Sequence, residues 1–218
     1  MTHAGVFITF EGPEGSGKTT QLRALADFLA GQGYPVRVTR EPGGTPLGQD
    51  IRALLLERHD LGIVPRAEVL LFLADRAQHV AQVLRPALQN GQVVLCDRYA
   101  DSTLAYQGYG HGEIPLDELR AAIEFAVQGL WPDRTFLLDL PVEQGFRRLT
   151  NPGAKDRLEN QALAFHRRVR QGYLALARAE PHRWTVLDAT QPWDAVQRAL
   201  REHTLALLQQ RGLRPRPR

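Results

Sequence analysis

Short apolar runs alternate along this chain with longer amphipathic ones. Apolar runs at 6–10, 36–39, 93–96, 135–139 and 184–187 predict five strands. Stretches at 18–32, 47–57, 67–89, 116–128, 142–150, 157–179 and 192–210 predict helices. Strands that are apolar throughout belong in a sheet covered on both faces. Helices between successive strands imply right-handed crossovers and a parallel sheet, so the fold class is α/β. No repeat, low-complexity segment or linker interrupts the pattern, which predicts one domain over residues 1–210.

The first strand run is followed by Gly12, Pro13, Glu14, Gly15, Ser16, Gly17, Lys18, Thr19 and Thr20, and then by a helical stretch. Strand, glycine-rich loop and helix form the context in which G-x-x-x-x-G-K-[ST] binds phosphate. Gly12, Gly15 and Gly17 can take positive φ and turn backbone N–H groups inward. Those groups and the positive end of the next helix make a nest for polyphosphate. Lys18 adds a point charge, and the Thr19 hydroxyl can sit on Mg²⁺. Glu14 is an acid among groups that attract anions; it points either to a substrate hydroxyl or to solvent.

Asp97, Arg98 and Tyr99 directly follow the 93–96 run. An acid at this place can hold Mg²⁺ opposite Thr19. Arg98 can bridge phosphate groups, since a guanidinium binds oxyanions bidentately. A Gly/Pro-rich break at 41–45 precedes Arg52, which could hold an acceptor phosphate or lie on the surface. Phe72 and Arg76 stand at i and i+4 on one helix face. That spacing favours a core ring with a snorkelling Arg, and it also suits a planar base. Ser102, Thr103, Tyr106 and Gln107 read locally as a polar loop with groups suited to base and sugar recognition.

Composition narrows the function classes. Hydrophobic residues make up 43% of 218, enough for a substantial core. The net charge of +3 resides in the last eight residues; without Arg211, Arg214, Arg216 and Arg218 it becomes −1. The body therefore carries no global field for nucleic acid, and segment 211–218 reads as a basic, flexible tail. Cys96 is the only cysteine, which excludes an internal disulfide and reads as a buried inert thiol. No signal peptide and no membrane-length apolar run are evident, so the expectation is a cytoplasmic protein without membrane partners. Lys18 and Lys155 are the only lysines.

The segments FITFEGPEGSGKTTQ, VTREPGGTPLGQDIRALLL, EVLLFLADRAQH, VLCDRYADSTLAYQG, a lid ending in DRLE, and VLDATQPWDAVQRAL closely resemble bacterial thymidylate kinases. They span nearly the whole chain in order. The resemblance implies a three-layer P-loop NTPase fold, with a five-stranded parallel sheet, helices on both faces and a short lid at about 145–159. It implies a homodimer that moves the γ-phosphate of ATP to dTMP with Mg²⁺, giving dTDP and ADP.

Carried over by position, the loop from Gly12 to Thr20 holds ATP phosphates, with Lys18, Arg98 and Asp97 as catalytic residues and Thr19 and Asp97 at the metal. Glu14 approaches the dTMP 3′-hydroxyl, and Arg52 and Arg98 hold its phosphate. Phe72 stacks on thymine and Arg76 meets a thymine carbonyl. Ser102, Thr103 and Gln107 lie by the base, while Tyr106 crowds the sugar 2′ position. Asp188 to Pro192 resembles the loop beside adenine.

The lid departs from the pattern: Thr150 and Pro152 stand where such lids often carry Arg. Arg147, Arg148, Lys155 and Arg157 are the candidates to replace it. Competing readings are a phosphate-loop kinase for another deoxynucleotide or deoxynucleoside, and a nucleotide switch. The guanine signature N-K-x-D of a GTPase switch is absent.

Overall fold

The computed structural model describes residues 4–149, 157–159 and 161–215. Five strands, β1 (Val6–Glu11), β2 (Val36–Arg40), β3 (Val93–Asp97), β4 (Arg134–Asp139) and β5 (Trp184–Asp188), form one sheet in the order β2-β3-β1-β4-β5. Every pairing is parallel, with Val6 opposite Val93 and Thr9 opposite Thr135. The chain leaves central β1 for β2 and β3 on one side and later reaches β4 and β5 on the other. This reversal opens a crevice at the carboxyl end of β1, where open α/β sheets place ligands.

Two cores flank the sheet. Val6, Ile8 and Phe10 of β1 face Leu22, Leu25 and Leu29 of α1 (Lys18–Gly31) and Leu200 of α9 (Trp193–Gln210). Phe7 faces the opposite core with α2 (Pro46–Leu56), α3 (Pro65–His79), α6 (Leu116–Val127) and α8 (Leu163–Ala179). The remaining helices are α4 (Arg85–Gln89), α5 (Ala100–Thr103) and α7 (Val142–Arg148). Helices on both faces of a parallel sheet make the expected three layers.

Three stretches differ from the sequence reading. The helix expected at 67–89 starts at Pro65 and contains a π-helical segment, Val80–Leu84, where the N–H of Arg85 reaches the carbonyl of Val80. Pro86 follows directly and cannot donate to the regular ladder. The stretch read as a polar loop after Tyr99 is helical: α5 continues as π-helix Leu104–His111. It is buried because Gly110 packs on Phe165 and Val169, and Gly172 on the Tyr109 ring. Only a residue without Cβ allows that approach of helix to helix. The helix expected from Arg157 begins at Leu163 after a turn at 157–159.

Past α9, Arg211 donates to Oδ1 of Asp133 at 2.6 Å, and the N–H of Leu213 bonds Leu208 at 2.9 Å. The start of the basic segment thus makes two contacts with the body while most of its residues are exposed; residues 216–218 lie outside the described residues. Cys96 is fully buried and donates to the carbonyl of Arg98. Burial pushes its thiol pKa up, as expected of an inert cysteine.

Candidate active site

The glycine-rich loop joins β1 to α1 at the crevice. Gly12, Gly15 and Gly17 have φ of 144°, 70° and 86°, as the motif predicts. Gly15 has a second constraint: a Cβ there would run into the backbone of Gly145 in α7. Lys18 is buried, and its Nζ donates to the carbonyls of Gly12 at 3.0 Å and Pro13 at 2.9 Å. Burial, then the nearby Arg98, lowers its pKa to about 8.

Thr19 Oγ1 donates to Oδ2 of Asp97, so the two metal candidates touch. Among the described residues no group of three or more His, Cys, Asp or Glu side chains gathers as a metal site. One carboxylate and one hydroxyl suit Mg²⁺, which keeps waters and takes substrate phosphate oxygens.

Arg98 sits in the turn after β3 with φ of 68°, a backbone region uncommon for a residue with a Cβ. Its N–H bonds the carbonyl of Phe10 at 3.0 Å. Its guanidinium ion-pairs with Glu14 and donates to Tyr106 Oη at 2.9 Å and Tyr173 Oη at 3.0 Å. The Tyr106 hydroxyl in turn donates to Glu14 at 2.6 Å. Burial alone would raise the Glu14 pKa, but Arg98 and Lys18 outweigh it and hold it down to about 2. Glu14 therefore faces Arg98 rather than solvent.

Opposite the loop lies a shelf built by α3. Arg76 is 1% exposed. Its Nε donates to Glu41 at 2.8 Å, Nη1 to Thr103 Oγ1 at 3.0 Å, and Nη2 to the carbonyl of Tyr99 at 3.1 Å. This fixed guanidinium replaces the snorkelling side chain that spacing favoured. It has five N–H donors, so two are left for a ligand carbonyl. His79 clamps the other Glu41 oxygen at 2.8 Å and Thr39 at 2.7 Å. Asp75 accepts from the N–H of Gly43 at 3.0 Å, tying the loop after β2 to α3. Arg52 donates to the carbonyl of Pro42 in that loop at 3.0 Å.

These elements surround one cleft of about 720 Å³. Its walls include Glu14, Gly15, Gly17, Lys18, Thr19 and Thr20 on the loop side, with Asp97 and Arg98. Arg52, Phe72, Arg76, Ser102, Thr103, Tyr106 and Gln107 line the other side. The sequence candidates, separated by up to about ninety positions, thus converge on one space.

The three described lid candidates, Arg147, Arg148 and Arg157, are not among the residues that line the cleft. Arg147 and Arg148 are exposed and outside the cleft lining, and Arg148 donates to the carbonyl of Ala189 at 3.1 Å. Arg157 ion-pairs with Glu68 and donates to the carbonyl of Leu55 at 2.9 Å. Glu68 also accepts from Gln107 at 2.6 Å. The Arg157 guanidinium is therefore bound to α2 and α3. Thr150, Pro152 and Lys155 lie outside the described residues.

The sequence profile of the thymidylate kinase family matches residues 10–200. The chain belongs to the thymidylate kinase family. It is 50% identical over 214 residues to the thymidylate kinase of Desulfovibrio desulfuricans, covering 95% of this chain and 98% of that one. It is 55% identical over 193 residues to that of Deinococcus radiodurans, covering 88% and 93%. The solved structure of thymidylate kinase from Ehrlichia chaffeensis superposes with a TM-score of 0.73 at 33% identity, covering 92% and 98%. The phosphate-loop fold and the kinase class expected from the sequence are therefore those of this chain.

Two residues of this kinase's site escaped the sequence reading. Glu11 ends β1 fully buried, and Tyr173 stands on the apolar face of α8. A charge closing an otherwise apolar strand was the one local signal for Glu11; Tyr173 gave none. Burial, then Asp101, raises the Glu11 pKa to about 7. No helix among the described residues is long and apolar enough to cross a membrane.

Proposed function

We propose that this kinase transfers the γ-phosphate of ATP to dTMP, giving dTDP and ADP, in the supply of dTTP. The observation that carries the reading is the opposition of two constellations across one cleft. Lys18, Thr19, Asp97 and the glycine loop stand on one side, and Phe72 with a fixed Arg76 stands on the other.

Both substrates are anions, and bringing their phosphates together is electrostatically unfavourable. Lys18, Arg98 and the loop N–H groups offset that repulsion where charge builds up. The acceptor phosphate is largely ionised near neutral pH, so no side chain is assigned as base. Thr19 and Asp97 are the residues to hold Mg²⁺, which when bound screens the phosphate charges. Arg52 and Arg98 receive the acceptor phosphate. Arg76 directs its remaining N–H groups, and Gln107 its amide, at the pyrimidine edge over the Phe72 ring. Tyr106, held by Glu14 and Arg98, crowds the sugar.

Self-association is part of the same reading. Leu54 of α2, Leu70 of α3 and Phe125 of α6 are exposed, Phe125 at 86%, on helices that pack side by side. These exposed apolar side chains support a homodimer, which light scattering after size-exclusion chromatography measures directly.

The decisive experiment is coupled ADP formation with dTMP set against dUMP, dCMP, dGMP and thymidine. Preference for dTMP is expected. Preference for another acceptor would favour the alternative of a kinase for a different deoxynucleotide or deoxynucleoside.

A further inference from the structure

Behind Arg98, on the side away from Glu14, lies a second carboxylate. Glu11 is 0% exposed, and each of its oxygens is occupied. Oε1 accepts the N–H of Tyr99 at 2.8 Å. Oε2 accepts Ser102 Oγ at 2.6 Å and Tyr173 Oη at 2.9 Å. Both hydroxyls also meet Arg98: Nη1 lies 3.0 Å from Tyr173 Oη and 3.4 Å from Ser102 Oγ.

Arginine can only donate, so each hydroxyl oxygen facing it accepts. The two hydroxyls also lie 2.8 Å from each other, and either can donate to the other, so at least one of their hydrogens points at Glu11. The result is an ordered chain from guanidinium through hydroxyl to carboxylate. It draws on four places in the fold: β1, the turn after β3, α5 and α8.

Arg98 has two sets of partners with different consequences. Glu14 and Tyr106 lie on the cleft side, where an acceptor phosphate competes for the same guanidinium. In the Glu11 set, Glu11 and Tyr173 are fully buried and outside the cleft lining, and Ser102 stands between them and the cleft. A guanidinium released from Glu14 keeps its hold on Tyr173 and Ser102. Its backbone sits at a positive φ, so its direction is not set by ordinary rotamer and backbone preferences alone.

We propose that Glu11, acting through the hydroxyls of Tyr173 and Ser102, is the buried positioning residue that aims Arg98 at the phosphate being transferred. The inference rests on the reading of Arg98 as a phosphate-binding residue of the kinase. Tyr173 and Glu11 touch no substrate; they act through Arg98. Misplacing a catalytic group by about an ångström is enough to slow a reaction about a hundredfold, so alignment is where their effect falls.

The test is a double-mutant cycle on kcat and KM, with thermal melting alongside. Tyr173→Phe removes one oxygen and keeps the ring that packs edge-on against Tyr106. It is expected to lower kcat about tenfold, with KM for dTMP within about twofold, and to lower the melting temperature modestly while the fold stays native. In an Arg98→Ala background the same change is expected to have no further effect, because its route is gone. Glu11→Gln is expected to reproduce the kcat loss. Should that variant not fold, Tyr173→Phe and Ser102→Ala carry the test. Wild-type kcat in Tyr173→Phe overturns the proposal, as does an equal tenfold loss with and without Arg98. Full activity in Arg98→Ala alone would instead overturn the parent reading, so the two failures are distinguishable.

Discussion

Arg98 and Glu14 form a direct ion pair in the wall of the cleft, although 84 positions separate them in the chain. The guanidinium also lies over the Tyr106 ring, 4.9 Å from its centroid. Glu14 belongs to the glycine-rich loop and Arg98 to the turn after β3, so the pair ties the loop to that turn. On the proposed reading, a phosphate of the acceptor competes with this carboxylate for the cation.

Arg98→Ala is therefore expected to act mainly on turnover. Steady-state kinetics should show kcat down about 10²–10³-fold, the scale for loss of one preorganised charge donor, with a much smaller change in KM for ATP. A large rise in KM with kcat preserved would place Arg98 in ground-state binding instead.

Lys18→Ala should abolish most activity by a comparable factor or more, about 10²-fold at least. Its Nζ is held by loop carbonyls, so the deletion also leaves Gly12 and Pro13 without that donor. Circular dichroism is expected to stay native. Near-normal ADP production would remove the phosphate-loop argument.

Gly145→Ala tests the contact between α7 and the phosphate loop. A Cβ at this position collides with the carbonyl of Glu14, so the loop must shift. The expected result is weaker ATP binding by calorimetry with little change in dTMP binding. Gly172→Ala, pressed at 2.7 Å against the Tyr109 ring, should instead destabilise the fold by about 1–3 kcal/mol through overpacking.

Asp75 gives the stability a pH dependence. Burial, then the charge of Glu41, raises its pKa from 3.8 to about 7. The folded state therefore holds this proton over a window in which the unfolded chain has lost it. Stability from this group is present below about 3.8 and declines as pH rises toward 7. Urea midpoints for wild type and Asp75→Asn at pH 5 and pH 8 check it. The variant should flatten part of the decline, since Asn keeps the acceptor for Gly43 and cannot ionise. An identical slope in both proteins would mean that Asp75 stays charged when folded.

Much of the site could be read before any fold was known, because its chemistry is written locally. The phosphate loop needs its glycines and lysine within a few residues, and Asp97 with Arg98 needs only a place at a strand end. Phe72 and Arg76 were the instructive pair. Helical spacing put them on one face, but whether Arg76 snorkelled or sat buried depended on Glu41, Thr103 and Tyr99. Those partners come from other elements, and no local pattern announces them.

The chain by itself determined the five strands and the glycine-rich loop, since each follows from apolar periodicity or from residues adjacent in sequence, and its resemblance to thymidylate kinases gave the class of reaction. Tertiary structure alone decided that the Ser102–Gln107 stretch is a buried helix, that Arg157 turns to Glu68, and that Glu11 backs Arg98 through Tyr173. Each depends on groups brought together over long sequence separations. In a dry interior a charge or hydroxyl must find its hydrogen bonds among whatever the packing supplies, and that supply is fixed only when the helices close on the sheet.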